Sequence, residues 1–269
     1  MTASGLLAGL GGAGPIAVRV AVLAAHPDDE TIGIGGQLAR CRDAVIIHLT
    51  DGAPANLADA RRHGFADAAG YARARRAEAE RALALAGIGP ERIVALGVPD
   101  QGAAFNLAGI VARLAGLLDR LRPHALVCHA YEGGHPDHDS AAFAAHAARA
   151  RLAAPPALIE MAGYHADGDR LATERFLDRP GHPALILPLA GEALARKRAM
   201  LDCFATQRAV LAPFPLVQEA FRIAPDHDFT APPHAGPLWY ERFDWGVTGA
   251  QWRALAATAL HQLPAPVVP

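Results

Sequence analysis

Short apolar runs alternate with longer amphipathic stretches along the first two-thirds of the chain. Four of the apolar runs have the length and composition of buried strands: residues 17–25, 44–50, 93–96 and 125–129. Two longer stretches predict helices: 69–85, rich in Ala, Arg and Glu, and 107–121, where Leu and Ile recur three and four positions apart. This alternation predicts an α/β fold, in which a Rossmann-like, doubly wound and mostly parallel sheet carries helices on both faces.

The pattern changes after residue 153, where a Pro-Pro pair interrupts it. Four further elements are predicted there: strands over 158–164 and 184–189, and helices over 190–204 and 249–263. The stretch 213–237 is rich in Pro and has no clear period, which is typical of an ordered covering loop. We interpret residues 1–269 as a single domain, with a core over about 17–207 and a C-terminal covering segment over about 208–269.

Composition and charge exclude several classes of protein. The chain has 269 residues, 52% of them hydrophobic and 19% charged, which is enough apolar material for a sizeable core. The formal net charge is −2, so no basic excess would attract nucleic acid or an anionic membrane. No apolar run reaches the roughly 20 residues that a membrane span needs. We therefore expect neither a nucleic-acid partner nor a membrane span, and nothing in the pattern indicates an oligomeric state.

The cysteines and the N-terminus bear on the compartment. Cys41, Cys128 and Cys203 are widely spaced and form no CxxC pair, which is typical of a protein from a reducing compartment. Residues 1–15 are apolar and rich in Gly and Ala, but they lack the positively charged start of a secretory signal peptide. The sequence therefore predicts a cytoplasmic protein.

Two polar motifs stand where predicted parallel strands end. HPDDE (residues 26–30) directly follows the first predicted strand, and GHPDHD (residues 134–139) comes a few residues after the fourth. In a doubly wound sheet of order 3-2-1-4-5 the first and fourth strands are neighbours. Ligands bind outside their carboxyl ends, where the winding reverses. We therefore expect the two motifs to meet in space.

The residue types in these motifs suit metal-assisted hydrolysis. His26, Asp29 and His138 supply two imidazoles and one carboxylate, a set that suits Zn²⁺ and that Fe²⁺ or another divalent metal would also accept. A bound metal makes water easier to deprotonate. Asp28 is the right type of residue to take that proton, and His135 is the right type to stabilise negative charge on the attacked carbonyl oxygen. The sequence therefore predicts a metal-dependent hydrolase.

The two remaining aspartates of the second motif have more local interpretations. Asp137 could orient His135 through its ring N–H, as a carboxylate often does for an active imidazole. Asp139 precedes a helical pattern over 140–152 and is expected to be its N-cap.

HPDDE after the first strand and GHPDH after the fourth resemble the motifs of the LmbE-like, or PIG-L, de-N-acetylases. These enzymes remove acetyl from N-acetylglucosamine conjugates. The resemblance extends over about residues 18–207 and implies zinc as the cofactor. It implies the following roles: His26, Asp29 and His138 as zinc ligands, Asp28 as the general base, and His135 as the electrostatic or acid partner.

Weaker matches to the same family imply substrate-binding residues. Arg75, in an R-x-x-E pattern, resembles the arginine that the family places toward the sugar. Asp100 resembles its substrate-side aspartate, although Gln101 stands where the family usually has Gly. Residues 197–207 resemble the late K…SQ segment, with Thr in place of Ser.

Three functions compete on these observations. The leading hypothesis is zinc-dependent removal of acetyl from a small-molecule amino-sugar conjugate. A second is a metal-dependent amidase acting on a non-sugar amide or on a thiol conjugate, and Arg75 and Asp100 argue against it because they suit hydroxyl-rich substrates. A third is a non-catalytic carbohydrate-binding protein, which would not need Asp28 and His135. The aromatic residues at 239–245 are expected to pack in the core rather than to stack on a sugar.

Overall fold

The computed structural model describes residues 2–267, and a seven-stranded sheet runs through them. The strands of this part of the chain are β1 (Ile16–Ala24), β2 (Cys41–Pro54), β3 (Ile93–Asp100), β4 (Ala125–His129), β5 (Ala157–Met161), β6 (Tyr164–Asp167), β7 (Arg170–Thr173), β8 (Leu185–Pro188) and β9 (Gln218–Ile223). The sheet has the order β3-β2-β1-β4-β5-β9-β8, and β6 and β7 form a separate hairpin. β1 to β5 are parallel, whereas β9 is antiparallel to both of its neighbours. The predicted order 3-2-1-4-5 and the mostly parallel sheet are confirmed.

Helices cover both faces of the sheet, as predicted. They are α1 (Ala3–Gly11), α2 (Asp29–Leu38), α3 (Ala58–Arg62), α4 (Ala68–Ala84), α5 (Leu107–Leu121), α6 (Pro136–Arg149), α7 (Gly191–Asp202), α8 (Arg208–Leu211) and α9 (Gly249–Gln262). Side chains alternate between the two faces along each strand. On β1, Ala21 and Leu23 pack in the cluster that contains α5, α6 and α9, while Val20 and Val22 pack with α1, α2, α4 and α7. The carboxyl ends of the parallel strands therefore lie between two layers of helices.

Helix α5 follows directly from its sequence. Its buried side chains recur three and four positions apart and form one apolar face: Leu107, Ile110, Val111, Leu114, Leu117 and Leu118. The helix ends at Leu121, and its C-cap residue, Arg122, has a left-handed backbone with φ 46° and precedes Pro123. The predicted bounds 107–121 are confirmed.

Helix α6 begins earlier than the predicted 140–152. His135 is its N-cap, because the His135 Nδ1 atom accepts the N–H of Asp137, and Pro136 takes the first helical position, which its fixed φ suits. The prediction that Asp139 caps this helix is wrong. The Asp139 carboxylate instead accepts the N–H groups of Glu132 and Gly133 in the preceding loop. The early start places the whole HPDH turn at the N-terminus of a buried helix.

Strand β9 lies within the stretch 213–237, where the sequence predicted a loop and no strand. Two of its side chains are charged and yet buried, Glu219 at 2% exposure and Arg222 at 1%. Glu219 accepts from Lys197 on α7, and Arg222 donates to Glu160 on β5. Because these partners lie far away along the chain, no local pattern reveals the strand.

The predicted strand 158–164 is two strands in the structure. β5 ends at Met161, the chain then leaves the sheet, and β6 begins at Tyr164. This departure brings the Tyr164 ring to 5.0 Å from the ring of His138, measured between centroids. Among residues 2–267, no helix combines the length and the apolar character needed to cross a bilayer.

Candidate active site

The two polar motifs meet at the carboxyl ends of β1 and β4, which pair side by side in the sheet. The Nδ1 atom of His26 lies 3.1 Å from one carboxylate oxygen of Asp29. The Nε2 atom of His138 lies 3.2 Å from the other oxygen. All three residues are buried. The structure thus brings together the three residues predicted as metal ligands.

The second ring nitrogen of His26 faces two further carboxylates. His26 Nε2 lies 3.1 Å from Asp100 Oδ1 and 3.3 Å from Asp137 Oδ2. Burial alone would lower the pKa of His26, but Asp100, Asp137 and Asp29 together raise that pKa well above its usual value. Burial likewise opposes ionisation of Asp29, yet His138 and His129 hold the pKa of that carboxyl well below its usual range.

This donor set fits a divalent metal. One ligand atom from each of His26, Asp29 and His138 can be chosen so that all lie within 4.8 Å of one another. A second group with the same property, His26, Asp100, His135 and Asp137, shares His26 with the first. Imidazole nitrogen and carboxylate oxygen are the donors that zinc and its neighbours prefer. Burial lowers the pKa of His138 to about 4, so its ring is neutral near pH 7 and keeps a lone pair for a metal, whereas His26, with its raised pKa, would release a ring proton when a metal binds.

Asp28 occupies a strained position between the site and Arg75. Its backbone has φ 156° and ψ −28°, a combination that non-glycine residues rarely adopt. Arg75 on α4 donates from Nη2 to the Asp28 carboxylate at 3.0 Å and to the Pro27 carbonyl at 2.9 Å. It also donates from Nη1 to the Gly52 carbonyl at 3.1 Å. Burial raises the pKa of Asp28 to about 8, although the Arg75 charge lowers it. Arg75 therefore fixes both the loop and the carboxylate.

The hydrogen bonds of His135 define which of its nitrogens faces the site. His135 Nδ1 accepts the backbone N–H of Asp137 at 3.0 Å, so a neutral ring carries its proton on Nε2. Burial lowers the pKa of His135 well below its usual value, and the positive charge of His26 adds to this effect. A neutral His135 with an Nε2–H donor lines the cavity.

Asp137 does not make the contact that the sequence suggested. Its carboxylate oxygen is 4.0 Å from His135 Nδ1, beyond hydrogen-bond distance. The two oxygens instead accept the N–H groups of Gln101 at 2.6 Å and Ala103 at 3.1 Å. Asp137 thus ties the second motif to the loop after β3 and lies beside His26.

Asp100, at the end of β3, faces both histidines that flank it. Its Oδ1 atom lies 3.1 Å from His26 Nε2 and 4.0 Å from His135 Nε2. Burial would raise the pKa of Asp100, but His26 and His135 lower it. The structure places this predicted substrate-side residue next to the metal-capable groups.

His129 and Tyr164 are two further residues of the site. His129 Nε2 accepts the N–H of Ala25 at 3.0 Å and lies 3.4 Å from Asp29. Its ring stacks on that of His138, a predicted metal ligand, with centroids 4.0 Å apart. The only sequence signal for His129 is its place at the end of β4, whereas Tyr164 enters the site through a change of chain direction that no local pattern marks.

The aromatic residues at 239–245 divide between core and site. Tyr240 is buried, as predicted for the whole group. Trp245 instead lines the cavity, with its ring 4.5 Å from that of His135, and the Phe243 ring stacks on Trp245 with centroids 4.5 Å apart. Core packing therefore accounts for part of the group only.

The cavity beside these residues has a volume of about 140 Å³. Part of its lining is polar. The rest consists of apolar and aromatic side chains, which we call the apolar wall: Ile32, Tyr164, Val210, Leu211, Phe214 and Trp245. A larger cavity, of about 460 Å³, is lined by residues that include Arg175 and His182, but the predicted site residues other than Asp137 line the smaller one.

The late segment that resembled K…SQ anchors this wall. Glu78 on α4 accepts from the backbone N–H and the hydroxyl of Thr206, and Gln207 donates to Tyr71 at 2.7 Å. Lys197 is fully buried and donates to the Ile32 carbonyl at 2.6 Å. These bonds hold the segment before α8 against α4, and α7 against the start of α2.

Comparisons with known proteins agree with this geometry. Residues 21–149 match the model of the PIG-L family, described as GlcNAc-PI de-N-acetylase, and both motifs lie within the match. No curated protein matches the chain.

Several solved structures share the fold. A zinc-inhibited form of the teicoplanin deacetylase Orf2 has 16% identity and a TM-score of 0.60 over 76% of this chain and 97% of that one. The pseudoaglycone deacetylase Dbv21 has 17% identity and a TM-score of 0.59 over 78% and 99%. N,N'-diacetylchitobiose deacetylase from Pyrococcus horikoshii has 18% identity and a TM-score of 0.56 over 77% and 84%. The resemblance to the LmbE-like, or PIG-L, de-N-acetylases that the two motifs predicted is therefore confirmed.

Proposed function

We propose that this chain is a metal-dependent hydrolase that removes the acetyl group from an N-acetylated amino-sugar conjugate. One observation carries the proposal. Three buried metal-capable residues, His26, Asp29 and His138, converge beside Asp28 and His135 within the segment that matches the de-N-acetylase family. The fold neighbours described as deacetylases of teicoplanin and of diacetylchitobiose support the same substrate class.

His26, Asp29 and His138 would hold the metal, with Zn²⁺ as the first candidate. When bound, a divalent metal acidifies water and polarises a carbonyl oxygen. Fe²⁺ or another divalent ion would accept the same donors. One neighbour is described as zinc-inhibited, so a metal panel should include excess zinc as a separate condition.

Asp28 is the proposed general base. Its carboxylate lines the cavity and is held at 3.0 Å by Arg75, which limits the positions that it can adopt. Because burial raises the pKa of Asp28 to about 8, only a minor fraction is ionised near pH 7, and the rate should rise with pH up to about 8. Taking the proton of the attacking water then generates the neutral carboxyl that burial favours. The same carboxyl can then deliver the proton to the leaving nitrogen, so that the amine departs neutral.

His135 is the proposed donor to the developing negative charge. Its Nδ1 atom accepts the N–H of Asp137, so the ring proton is on Nε2 and can be donated to the acetyl oxygen. Because the pKa of His135 is lowered, the ring stays neutral near pH 7 and acts as a hydrogen-bond donor.

Substrate binding is assigned both to polar residues of the cavity lining and to its apolar wall. Asp100 is proposed to accept from a sugar hydroxyl, because part of its carboxylate is exposed in the cavity. The predicted contact of Arg75 with the sugar stays a prediction, and its bonds to Pro27, Asp28 and Gly52 support a positioning role as well. The apolar wall favours a conjugate whose second half is apolar.

That apolar wall is also the reason to keep a second candidate, hydrolysis of a non-sugar amide. Phe214 and Trp245 would contact an aryl or alkyl group as readily as an aglycone. A cytoplasmic location and a single-domain organisation stay predictions as well.

The test is acetate release from N-acetylglucosamine conjugates and from simple acetamides by the metal-loaded protein. Asp28→Asn should lower the rate by roughly 10²–10⁴-fold, the usual contribution of a general base. Asp119→Asn is the matched control, because Asp119 is an exposed aspartate on α5.

Equal rates for the wild type and Asp28→Asn would remove Asp28 from the mechanism. Release from acetamides and not from sugar conjugates would favour the non-sugar amidase. Metal binding with no release from any compound would favour the non-catalytic carbohydrate-binding alternative, which binding of the same conjugates would then test.

A further inference from the structure

A second group of metal-capable side chains lies away from the proposed active site. Glu160 is on β5, His227 follows β9, and His146 is near the C-terminal end of α6. His138 and His146 are eight positions apart on α6, which at 1.5 Å per residue separates them by about 12 Å along the helix. The group therefore shares a helix with the active site and is distinct from it.

The geometry of this group suits a single ion. One ligand atom from each of the three residues can be chosen so that all lie within 4.8 Å of one another. His227 Nε2 lies 2.5 Å from Glu160 Oε1, and the rings of His146 and His227 are 5.2 Å apart between centroids. The side chains of Glu160 and His227 are 0% and 1% exposed. Two imidazoles and a carboxylate are the donors that zinc-like ions prefer.

The two histidines have unused nitrogen atoms. His146 Nε2 and His227 Nδ1 are buried, yet neither has a hydrogen-bond partner within residues 2–267. Native proteins rarely leave buried polar atoms unpaired, and an ion is one of the partners that can satisfy them. Burial and the neighbouring His227 lower the pKa of His146 to about 4, so its ring is neutral near pH 7 and keeps a lone pair.

The surroundings orient the carboxylate, and a surface cavity reaches His146. Arg222 donates from Nε to Glu160 Oε2 at 2.6 Å, which leaves Oε1 directed at His227. Such an outer hydrogen bond is the usual way to orient a carboxylate ligand. His146 and the exposed Asp226 both line a cavity of about 400 Å³ that opens to the surface.

We propose that His146, Glu160 and His227 form a second binding site for a divalent transition-metal ion such as Zn²⁺. The ion would link α6 and β5 to the chain that follows β9. It would thereby fasten part of the C-terminal segment to the core of the sheet.

Zinc stoichiometry tests this site without any assay of activity. Each protein is freed of metal with a chelator and titrated with Zn²⁺ against a chromophoric competitor. We expect two equivalents for the wild type and one for His146→Gln, with at least a tenfold loss of affinity at the second site. His138→Ala changes a proposed ligand of the active site, so it should lose the zinc ion of that site and keep the second one. The double variant His138→Ala/His146→Gln should therefore bind no zinc.

His146→Gln is the decisive variant, because His146 Nε2 makes no hydrogen bond within residues 2–267 and its loss should leave the fold intact. His261→Gln, at an exposed histidine on α9, is the matched control and should bind two equivalents. Zinc should also raise the Tm of His138→Ala and have no such effect on His138→Ala/His146→Gln. The proposal fails if His146→Gln binds as many equivalents as the wild type, or if His138→Ala alone abolishes all binding.

Discussion

The two His-Pro-Asp motifs share three residues and yet build their halves of the site in different ways. In the first, His26 and Pro27 lie in the loop and Asp28 takes φ 156° before α2 begins at Asp29. In the second, His135 is an extended N-cap with φ −141°, and α6 begins at the proline itself. The position of the tripeptide relative to the helix start therefore decides which side chains face the metal-capable cluster.

The difference lies in what supports each motif. The first depends on residues far away along the chain: Arg75 holds Asp28, and His48 lies 3.1 Å from Glu30, which accepts the Asp28 N–H. The backbone of the second forms its turn locally, because Pro136 suits the first helical position and His135 Nδ1 accepts the Asp137 N–H, and its distant contacts are added by the Asp137 carboxylate and the Pro136 carbonyl. The strained motif should thus respond most to distant substitutions, and the regular one to changes within its own turn.

The largest effect is expected from Arg75→Ala. The substitution removes the cation beside the buried carboxylate of Asp28, and breaking such a pair costs about 3–5 kcal/mol in the free energy of unfolding. It should also move the pH profile of activity upward. The Arg75 charge lowers the pKa of Asp28 against the effect of burial, so without it the carboxylate ionises only at higher pH. Urea unfolding and rates measured across pH would check both effects.

Arg76→Ala is the matched control for Arg75→Ala. Arg76 is the next residue on α4, and its pair with Glu80 is solvent-exposed, so its loss should change stability by about 0.5 kcal/mol or less. If Arg75→Ala is no less stable than Arg76→Ala, the first motif does not depend on this distant support.

A smaller effect is expected from Asp137→Asn in the second motif. Asp137 accepts two backbone N–H groups and lies 3.3 Å from His26. The side-chain amide of Asn has one acceptor oxygen in place of two, so it can keep only one of these hydrogen bonds. The substitution also removes the carboxylate charge beside His26, a proposed metal ligand. We expect a loss of about 10–100-fold in metal affinity at the active site, the usual cost of losing a neighbouring orienting group.

Asp139→Asn is the control that separates the orienting role of Asp137 from a general effect on packing in the turn. Burial raises the pKa of Asp139 to about 8, so the carboxyl is largely protonated near pH 7 and an amide resembles it closely. Metal affinity should stay within about twofold of the wild type, well below the change expected for an orienting group. Equal losses in Asp137→Asn and Asp139→Asn would mean that both act through the shape of the turn alone.

The elements that the sequence predicted best are those with local causes. β4 and α5 have the predicted bounds, because an unbroken apolar run and a regular Leu spacing before Pro123 are sufficient signals. β9 has no such signal, since its buried Glu219 and Arg222 find their partners on other elements. The start of α6 was placed too late because a histidine N-cap is outside the usual set of capping residues.

The same division holds for the site. The sequence predicts which residue types converge, because the switch point of the sheet brings the ends of β1 and β4 together. It does not predict the partners of individual atoms. Asp137 binds the N–H groups of Gln101 and Ala103 rather than the ring of His135, because the loop after β3 packs against it. Trp245 reaches the cavity through the irregular segment before α9.

Gly134→Ala tests how closely the second motif packs against β6. A Cβ at this position would overlap the backbone carbonyl oxygen of Tyr164, so β6 or the motif must shift. Overpacking of this kind costs about 1–3 kcal/mol, measurable as a lower urea midpoint. Gly116→Ala is the control, because this exposed position within α5 has only the end of Arg120 nearby and should gain roughly 0.5–1 kcal/mol. An unchanged midpoint for Gly134→Ala would show that the turn absorbs the extra atom.

The smallest effect is expected from Trp245→Ala, which acts on the second motif from outside. The Trp245 ring is partly exposed, lines the cavity and lies 4.5 Å from the ring of His135. If it contacts the substrate, its loss should raise KM by roughly 2–10-fold with little change in kcat, since aromatic contacts contribute about 0.5–1.5 kcal/mol. Trp239→Ala is the matched control, because Trp239 is also partly exposed but packs against Arg242 and Phe243. A fall in kcat with KM unchanged would instead mean that Trp245 serves to position His135, and the second motif would then need distant support just as the first does.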